Sequence, residues 1–348
     1  MFMEKKIGRI FLNALSFFLF LLSFCFPEGT VFAQEEKLTT LIEAARKEGQ
    51  MTLYTSMNLN KCTDLVQNFH KKYPFIKTDL LRLQAENILV KLLAEAKAKH
   101  ISADVIINGG FRTHITKKEG LLMKYISPEA KAYRDGFKDP EGYWTDTFVT
   151  ANVLIYNTKL ISPREFPTKS HEDLLQPKWK GKIGMESFPV DWFIQMLKFM
   201  GEKKGLDYMN KLALQKPNIR TGGNLLTSLV AAGEFPMAIN VTSSMSEEAK
   251  AIGASVDLIP LDPVIGVLHP IAISANAPHP NAAKLFVNFV LSKEGMELIK
   301  GYRDIPSRTD VEPDTPLLRG IKIYPSDPKS AEESARYIEL YRSIFLKK

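Results

Sequence analysis

The sequence predicts an α/β fold of two lobes joined by two extended crossovers. Three observations carry this. From Lys37 onward, segments with strand and helix patterns alternate, as they do in an open, mostly parallel sheet with covering helices. The alternation runs twice, and a long extended stretch from Trp144 to Ile161 separates the two runs. A second extended stretch, Val264 to Ser274, leads back. The predicted division is 1–33 for a secretory signal, 34–145 for the first part of lobe 1, 146–265 for lobe 2, and 266–348 for the return crossover, the completion of lobe 1 and a tail.

In lobe 1, Leu38 to Ala45 reads as an amphipathic helix closed by Gly49, and Met51 to Tyr54 as a strand. Cys62, Leu65, Val66 and Phe69 share one helical face that stops at Pro74, so Cys62 is expected in the core as an inert thiol. Ile76 to Leu83 and Ala103 to Ile107 read as strands, with a helix face of Leu89, Leu92, Leu93 and Ala96 between them. Repeated βα units of this kind imply parallel pairing and right-handed crossovers, with ligands at the carboxyl ends of the strands. In lobe 2 a polar segment, Ser162 to Lys180, precedes a strand at Ile183 to Glu186 and one long helix from about Asp191 to Gln215. A loop at Arg220 to Asn224, a helix at Leu225 to Ala232 and a strand at Phe235 to Val241 follow. The return stretch feeds a helix with Ala282, Leu285, Phe286, Phe289 and Val290 on one face, expected to pack on lobe 1. A Pro- and Asp-rich tail, Arg303 to Lys329, is expected to wrap the surface before a last helix near Ala331 to Phe345.

The 348 residues are 45% hydrophobic and 24% charged, which excludes disorder, collagen repeats and a disulfide-framed miniprotein. Lys5, Lys6 and Arg9 precede the apolar run Ile10 to Phe26 and the stretch Thr30 to Ala33. This is the grammar of a secretory signal cleaved after Ala33; a retained membrane anchor is the alternative, but the run is short for a span. Phe24 before Cys25 does not fit a lipoprotein site, so Cys25 is expected to leave with the signal and Cys62 to remain alone, with no internal disulfide. The net charge of +7 comes from scattered basic residues, without the aromatic interleaving of an RNA-binding module. Nucleic acid is therefore not an expected partner, and the exported chain is expected to be a periplasmic monomer.

Several stretches in order resemble the extracellular solute-binding proteins of ABC importers, in the branch that includes ferric-ion-binding proteins. They are Ala103-Asp104-Val105, Ile155-Tyr156-Asn157-Thr158-Lys159, Pro177 to Gly184, Ala231 to Pro236, Ala277 to Ala283 and Leu291 to Gly295. The resemblance implies a type II periplasmic binding fold and delivery of a captured solute to a membrane permease. It also exposes a departure: where ferric-binding relatives place adjacent tyrosines, this chain has Val241 and Thr242, which argues against a tyrosine-ligated iron.

Ligand contacts are expected from the strand-end loops Tyr54-Thr55-Ser56 and Asn108-Gly109-Gly110. Arg220-Thr221-Gly222-Gly223 precedes a helix, where backbone N–H groups, glycines and a guanidinium suit an anion; Thr221 or Asn224 as simple caps are the alternative. Glu186-Ser187 and Asp191-Trp192 follow a strand, with Asp191 as a cap and Trp192 as core in the competing reading. Asn240, Thr242, Ser243 and Ser244 offer an amide and hydroxyls, or cap a helix starting near Glu247. His269, with Tyr54 and Glu186, is a candidate for a mixed oxygen and imidazole site, while His70, His100, His114 and His171 read as surface residues. Trp179 is expected in the core and its flanking lysines in a solvated turn, since the phosphate-loop spacing is absent. No cofactor is implied. With neither G-x-S-x-G nor His-Glu-x-x-His present, the expectation is not an enzyme but a protein that captures a small anionic or polar organic solute, or iron or an iron chelate, for an ABC importer. The alternatives are a ligand-sensing partner of a membrane receptor and, below that, a secreted hydrolase.

Overall fold

The computed structural model describes residues 28–346 except Pro167 and Phe188. Most of the expected signal segment, residues 1–27, lies outside the described residues. The chain divides into two units between Thr40 and Leu41. In chain order the elements are α1 (Glu28–Glu48), β1 (Gln50–Thr55), α2 (Leu59–Lys72), β2 (Lys77–Arg82), α3 (Ala85–Lys97), β3 (Val105–Ile107), α4 (Gly110–Lys118) and β4 (Leu122–Met123). The middle of the chain forms β5 (Trp144–Asn157), β6 (Ile183–Glu186), α5 (Val190–Met200), α6 (Glu202–Leu214), β7 (Asn218–Arg220), α7 (Gly223–Ala232), β8 (Met237–Thr242), α8 (Ser243–Ala251) and β9 (Val256–Ile259). It closes with β10 (Val264–Ser274), α9 (Pro280–Leu291), α10 (Lys293–Gly301), β11 (Ile305–Pro306), β12 (Ile323–Pro325) and α11 (Ser334–Phe345).

In the second unit the strands run in the order β2-β1-β3-β10-β5-β8-β6-β7. β1 pairs in parallel with β2 and β3, and β6 pairs in parallel with β7 and β8. Two long antiparallel strands join these parallel sets. β5 changes partner midway: Ala151 pairs with Gly266 of β10, and the next residue, Asn152, pairs with Thr242 of β8. One strand therefore belongs to both halves of the sheet, as the extended Trp144 stretch predicts. The halves also share apolar packing, because one buried cluster runs from Tyr54, Ile88 and Ile106 through Val149, Ala151 and Val153 to Leu226 and Val241.

Each half has its own further core. On the first, Cys62, Leu65 and Phe69 of α2 meet Phe286 and Phe289 of α9, with Phe69 edge-on to Phe286 at 4.9 Å. Cys62 is fully buried and its thiol is pushed up by burial, as the helical face predicts. On the second half, Trp192, Phe193, Tyr208 and Trp179 form the core, and Phe166 stacks on Trp179 at 5.4 Å.

Two expectations about the helices and the tail are corrected. The single long helix from Asp191 to Gln215 is two helices. Gly201, with φ +78, reverses the chain between α5 and α6, a conformation that glycine adopts without steric cost. Gly205 lets α6 close on α5, since a Cβ there would lie 2.9 Å from Leu197 Cα. The tail after Arg303 does not merely wrap the surface: β11 pairs with β5 and β12 with β10. Beyond β12 the turn Pro328–Glu333 touches both halves. Glu332 lies 2.8 Å from His114 Nε2 and 3.2 Å from Lys118 on α4, while Ser330 accepts hydrogen bonds from Lys198 at 2.7 Å and Gln195 at 3.3 Å on α5. α11 then packs edge-on against α5 through Tyr341 and Phe193.

His114 and His171, expected at the surface, are both buried. His171 lies under Trp192 and Tyr208, with Nε2 3.2 Å from the Pro263 carbonyl, and burial pushes its pKa down to about 4. The folded protein thus resists a proton that the unfolded chain takes up near pH 6.5. His171 contributes stability that is complete above that pH and lost as the pH falls toward about 4, roughly 3 kcal/mol in all. Replacing it as His171→Gln is expected to flatten the decline in unfolding free energy between pH 7 and pH 4.5, read from urea denaturation at each pH.

Candidate functional site

The carboxyl ends of β1 and β8 and the midsections of β5 and β10 border a cavity of about 340 Å³. The first half of the sheet supplies Ser56, Met57, Asn58, Lys61, Phe148, Thr150, His269 and Asp304 to its lining, and the second supplies Asn224, Thr242, Ser244, Met245 and Glu248. A smaller cavity of about 200 Å³ adjoins it through Thr242 and Met245 and is lined mainly by Asn152, Glu186, Asp191, Trp192, Gly223 and Asn240. A larger recess of about 630 Å³ lies over residues 125–145. It draws nothing from the second half, so it cannot serve as a trap that both halves close.

Local structure explains the lining. Asn58 caps α2 by accepting from the Asn60 N–H at 3.0 Å, and Lys61 follows on the first turn. Ser244 and Glu248, four residues apart, share a face of α8. His269 sits where the β5–β10 register shifts between Leu268 and Pro270, and its ring stacks on Phe148 at 4.3 Å. Burial pushes the His269 pKa down to about 4, so the ring is neutral near pH 7.

Lys61 is the cationic side chain of the lining, and it is already engaged. Its ammonium lies 3.1 and 3.2 Å from the two carboxylate oxygens of Asp304 and 3.5 Å from Glu248 on α8. The Lys61–Glu248 contact crosses the cavity from one half to the other. Burial raises the Asp304 pKa while Lys61 opposes the rise. In the smaller cavity burial pushes the Asp191 pKa up to about 6, partly offset by Arg112. Among the described residues, no group of three or more His, Cys, Asp or Glu side chains is gathered as a metal ion would require.

A family model described as bacterial extracellular solute-binding protein matches residues 64–329. The chain belongs to this family. Solved structures show the same two-lobed fold. An IdiA (FutA) protein of Trichodesmium in complex with iron and citrate is 19% identical with a TM-score of 0.75, covering 86% of this chain and 100% of that one. Iron-bound HitA of Pseudomonas aeruginosa is 21% identical with a TM-score of 0.73, covering 85% and 99%. AfuA of Actinobacillus pleuropneumoniae, with fructose-6-phosphate bound, is 24% identical with a TM-score of 0.67, covering 86% and 99%. At these identities the likeness shows the fold alone.

In this solute-binding protein, Ser56 and His269 lie on the larger cavity, and Glu186, Asp191, Trp192, Gly223 and Asn240 on the smaller; Thr242 faces both. The other expected residues lie off both linings. Tyr54 is buried and donates its hydroxyl to Glu95 at 2.7 Å. Thr55 is buried with Oγ1 accepting from the Met57 N–H, and Asn108 spends its amide on the Ala85 carbonyl and the Gly109 N–H. Gly109 precedes α4, while Gly110 sits against Leu268 and Pro328. Arg220 is exposed and donates to its neighbour's carbonyl, and Ser187 and Thr221 bond each other at 3.0 Å.

The glycine loop before α7 is not an open anion cradle. The Gly222 N–H donates to Glu186 Oε2 at 2.9 Å and Oε1 at 3.2 Å, so a carboxylate of the protein already takes the site offered by the helix start. α8 begins at Ser243, not near Glu247. Lys61, Phe148, Met245, Glu248 and Asp304 escape a reading by motif, because no fixed spacing joins them; the usable signal is Asp304 standing before the apolar Ile305-Pro306. Removing Lys61 leaves Asp304 buried without its cation. Lys61→Met is expected to cost about 3 kcal/mol, and adding Asp304→Asn to restore most of it, in chemical denaturation of the single and double variants.

Proposed function

We propose that this protein is the exported solute-binding component of an ABC importer, and that it captures a polar organic solute without net negative charge between its two halves. Its family, bacterial extracellular solute-binding proteins, supports the general role. The single observation that carries the finer reading is the larger cavity. Hydroxyls of Ser56, Thr150, Thr242 and Ser244 and the amide of Asn224 line it from both halves, around a lysine outnumbered by two carboxylates.

Magnitudes decide against a free anion. A unit negative charge about 4 Å from the surplus carboxylate meets roughly 4 kcal/mol of repulsion at an effective dielectric of 20. The start of α7 is already taken by Glu186, and the start of α8 returns at most about 2 kcal/mol in a partly buried site. A neutral solute escapes this penalty and matches the hydroxyl lining. Ferric ion is disfavoured by the absence, among the described residues, of three or more gathered His, Cys, Asp or Glu side chains and by Val241 and Thr242 standing where ferric-binding relatives carry tyrosines.

Solute release toward the permease follows when the contact between Lys61 and Glu248 parts and the halves separate. No step transforms the solute. Export would use the N-terminal segment as a signal cleaved after Ala33, into the periplasm. β5, which changes partner between Ala151 and Asn152, and β10 serve as the two hinges in this reading, with the lobe limits taken at 145/146 and 265/266.

Thermal-shift measurements against sugars, polyols, amines, carboxylates, phosphates and ferric citrate test the reading. A concentration-dependent rise in Tm with an uncharged or cationic organic solute is expected, and no visible charge-transfer band with ferric ion. Stabilisation by free phosphate or citrate alone, or an iron-coloured protein, overturns it.

A further inference from the structure

We propose that the smaller cavity is a subsite for a hydroxyl-bearing end of the solute, so that the cargo is a polyhydroxylated molecule reaching past Met245 from the larger cavity. The inference rests on the proposed capture of an organic solute and specifies its chemistry.

Two groups carry it. Asn240 is 7% exposed, and its amide Nδ2 has no hydrogen-bond partner among the described residues. A buried polar group left unmatched costs about 1–3 kcal/mol, so a site that keeps one invites a partner from outside. Asn240 also holds φ at +61 near the end of β8, a left-handed conformation that non-glycine residues adopt at a cost. Lining the same cavity is Asp191, in the first turn of α5, whose carboxyl is met by its own backbone N–H and, among the described residues, by no side-chain donor.

One amide donor and one carboxyl acceptor on the lining of one small cavity select among ligand chemistries. An ammonium satisfies Asp191 and leaves the Asn240 donor unmatched. A phosphate or carboxylate satisfies Asn240 and is repelled by Asp191 and Glu186. A hydroxyl donates to the carboxyl and accepts from the amide, completing both. Glu186 does not compete for it, because its oxygens already accept from the Gly222 N–H and the Ser187 N–H and hydroxyl. The wall formed by Trp192 and Met245 suits the C–H faces of a polyol. Gly223 keeps the space open, since a Cβ there would lie 2.5 Å from the Met245 sulfur. Thr242 and Met245 line both cavities, so one solute can occupy the two together.

Isothermal titration of the full-length protein with glucose, sorbitol and myo-inositol tests this, with inorganic phosphate, citrate and putrescine alongside. Two variants remove the pair: Asp191→Ala, and Asn240→Gly, which deletes the amide while relieving the left-handed backbone. At least one hydroxylated probe is expected to bind, with affinity falling tenfold or more in each variant. Deoxy analogues of that probe should lose affinity in the wild type and show no further loss in the variants. Two results overturn the subsite while leaving solute capture standing: a hydroxylated probe that binds both variants as tightly as wild type, or binding of putrescine but of no hydroxylated probe. Binding of phosphate or citrate alone, or of no probe at all, overturns the subsite and the reading beneath it together.

Discussion

The buried carboxylate of Asp146 is the knot on which the centre of the molecule depends. From β5 it accepts the backbone N–H of His269 at 2.6 Å and the hydroxyl of Ser307, tying together β5, β10 and the chain after β11. Next to it, Thr147 donates to the His269 carbonyl at 2.6 Å. Burial holds the Asp146 pKa well above the usual carboxylate range, and these hydrogen bonds oppose the rise. The bonds fix the irregular register at Leu268 and Pro270, which turns His269 onto Phe148 and leaves the pair as one wall of the larger cavity. Asp304, two residues from the paired Pro306, is carried to Lys61 by the same arrangement.

Electrostatics within the cleft follow a single pattern: positive ends and side chains are balanced by the chain's own carboxylates. Glu186 occupies the start of α7, and Asp304 and Glu248 flank Lys61. Such internal compensation lowers the gain from binding an anion and raises the relative weight of hydroxyl and amide contacts, whose strength depends on aim more than on charge. The likeness to iron-bound and fructose-6-phosphate-bound structures shows the scaffold alone.

Much of the scaffold is legible in the sequence because it is written locally. The face Cys62, Leu65 and Phe69 predicts α2, and Val264 to Ser274 coincides with β10. Gly49, with φ +68, ends the first helix as expected. Gly201 carries the one cue that α5 and α6 are separate, and an apolar beat that continues across it hides the break. The site is less legible. Loops after β8 and β6 point to Thr242, Asn240 and Asp191 because strand ends are local features, and those residues do reach the cavities. Lys61, Glu248 and Asp304 meet only after three distant segments fold together. Tyr54 and Arg220 look like ligand contacts by residue type, yet each turns to a partner within the protein.

The turn Pro328–Glu333 gives the molecule a property that its two hinge strands alone would not. Held to α4 by Glu332 and to α5 by Ser330, and continued by α11 along α5, it acts as a third tether between the halves. A clamshell with two tethers swings about the line through them. One with three is restricted in its arc, and the strut sets how far the jaws travel before its own contacts must break. Any swing of one half against the other is thus limited by the contacts that residues 328–345 make with α4 and α5.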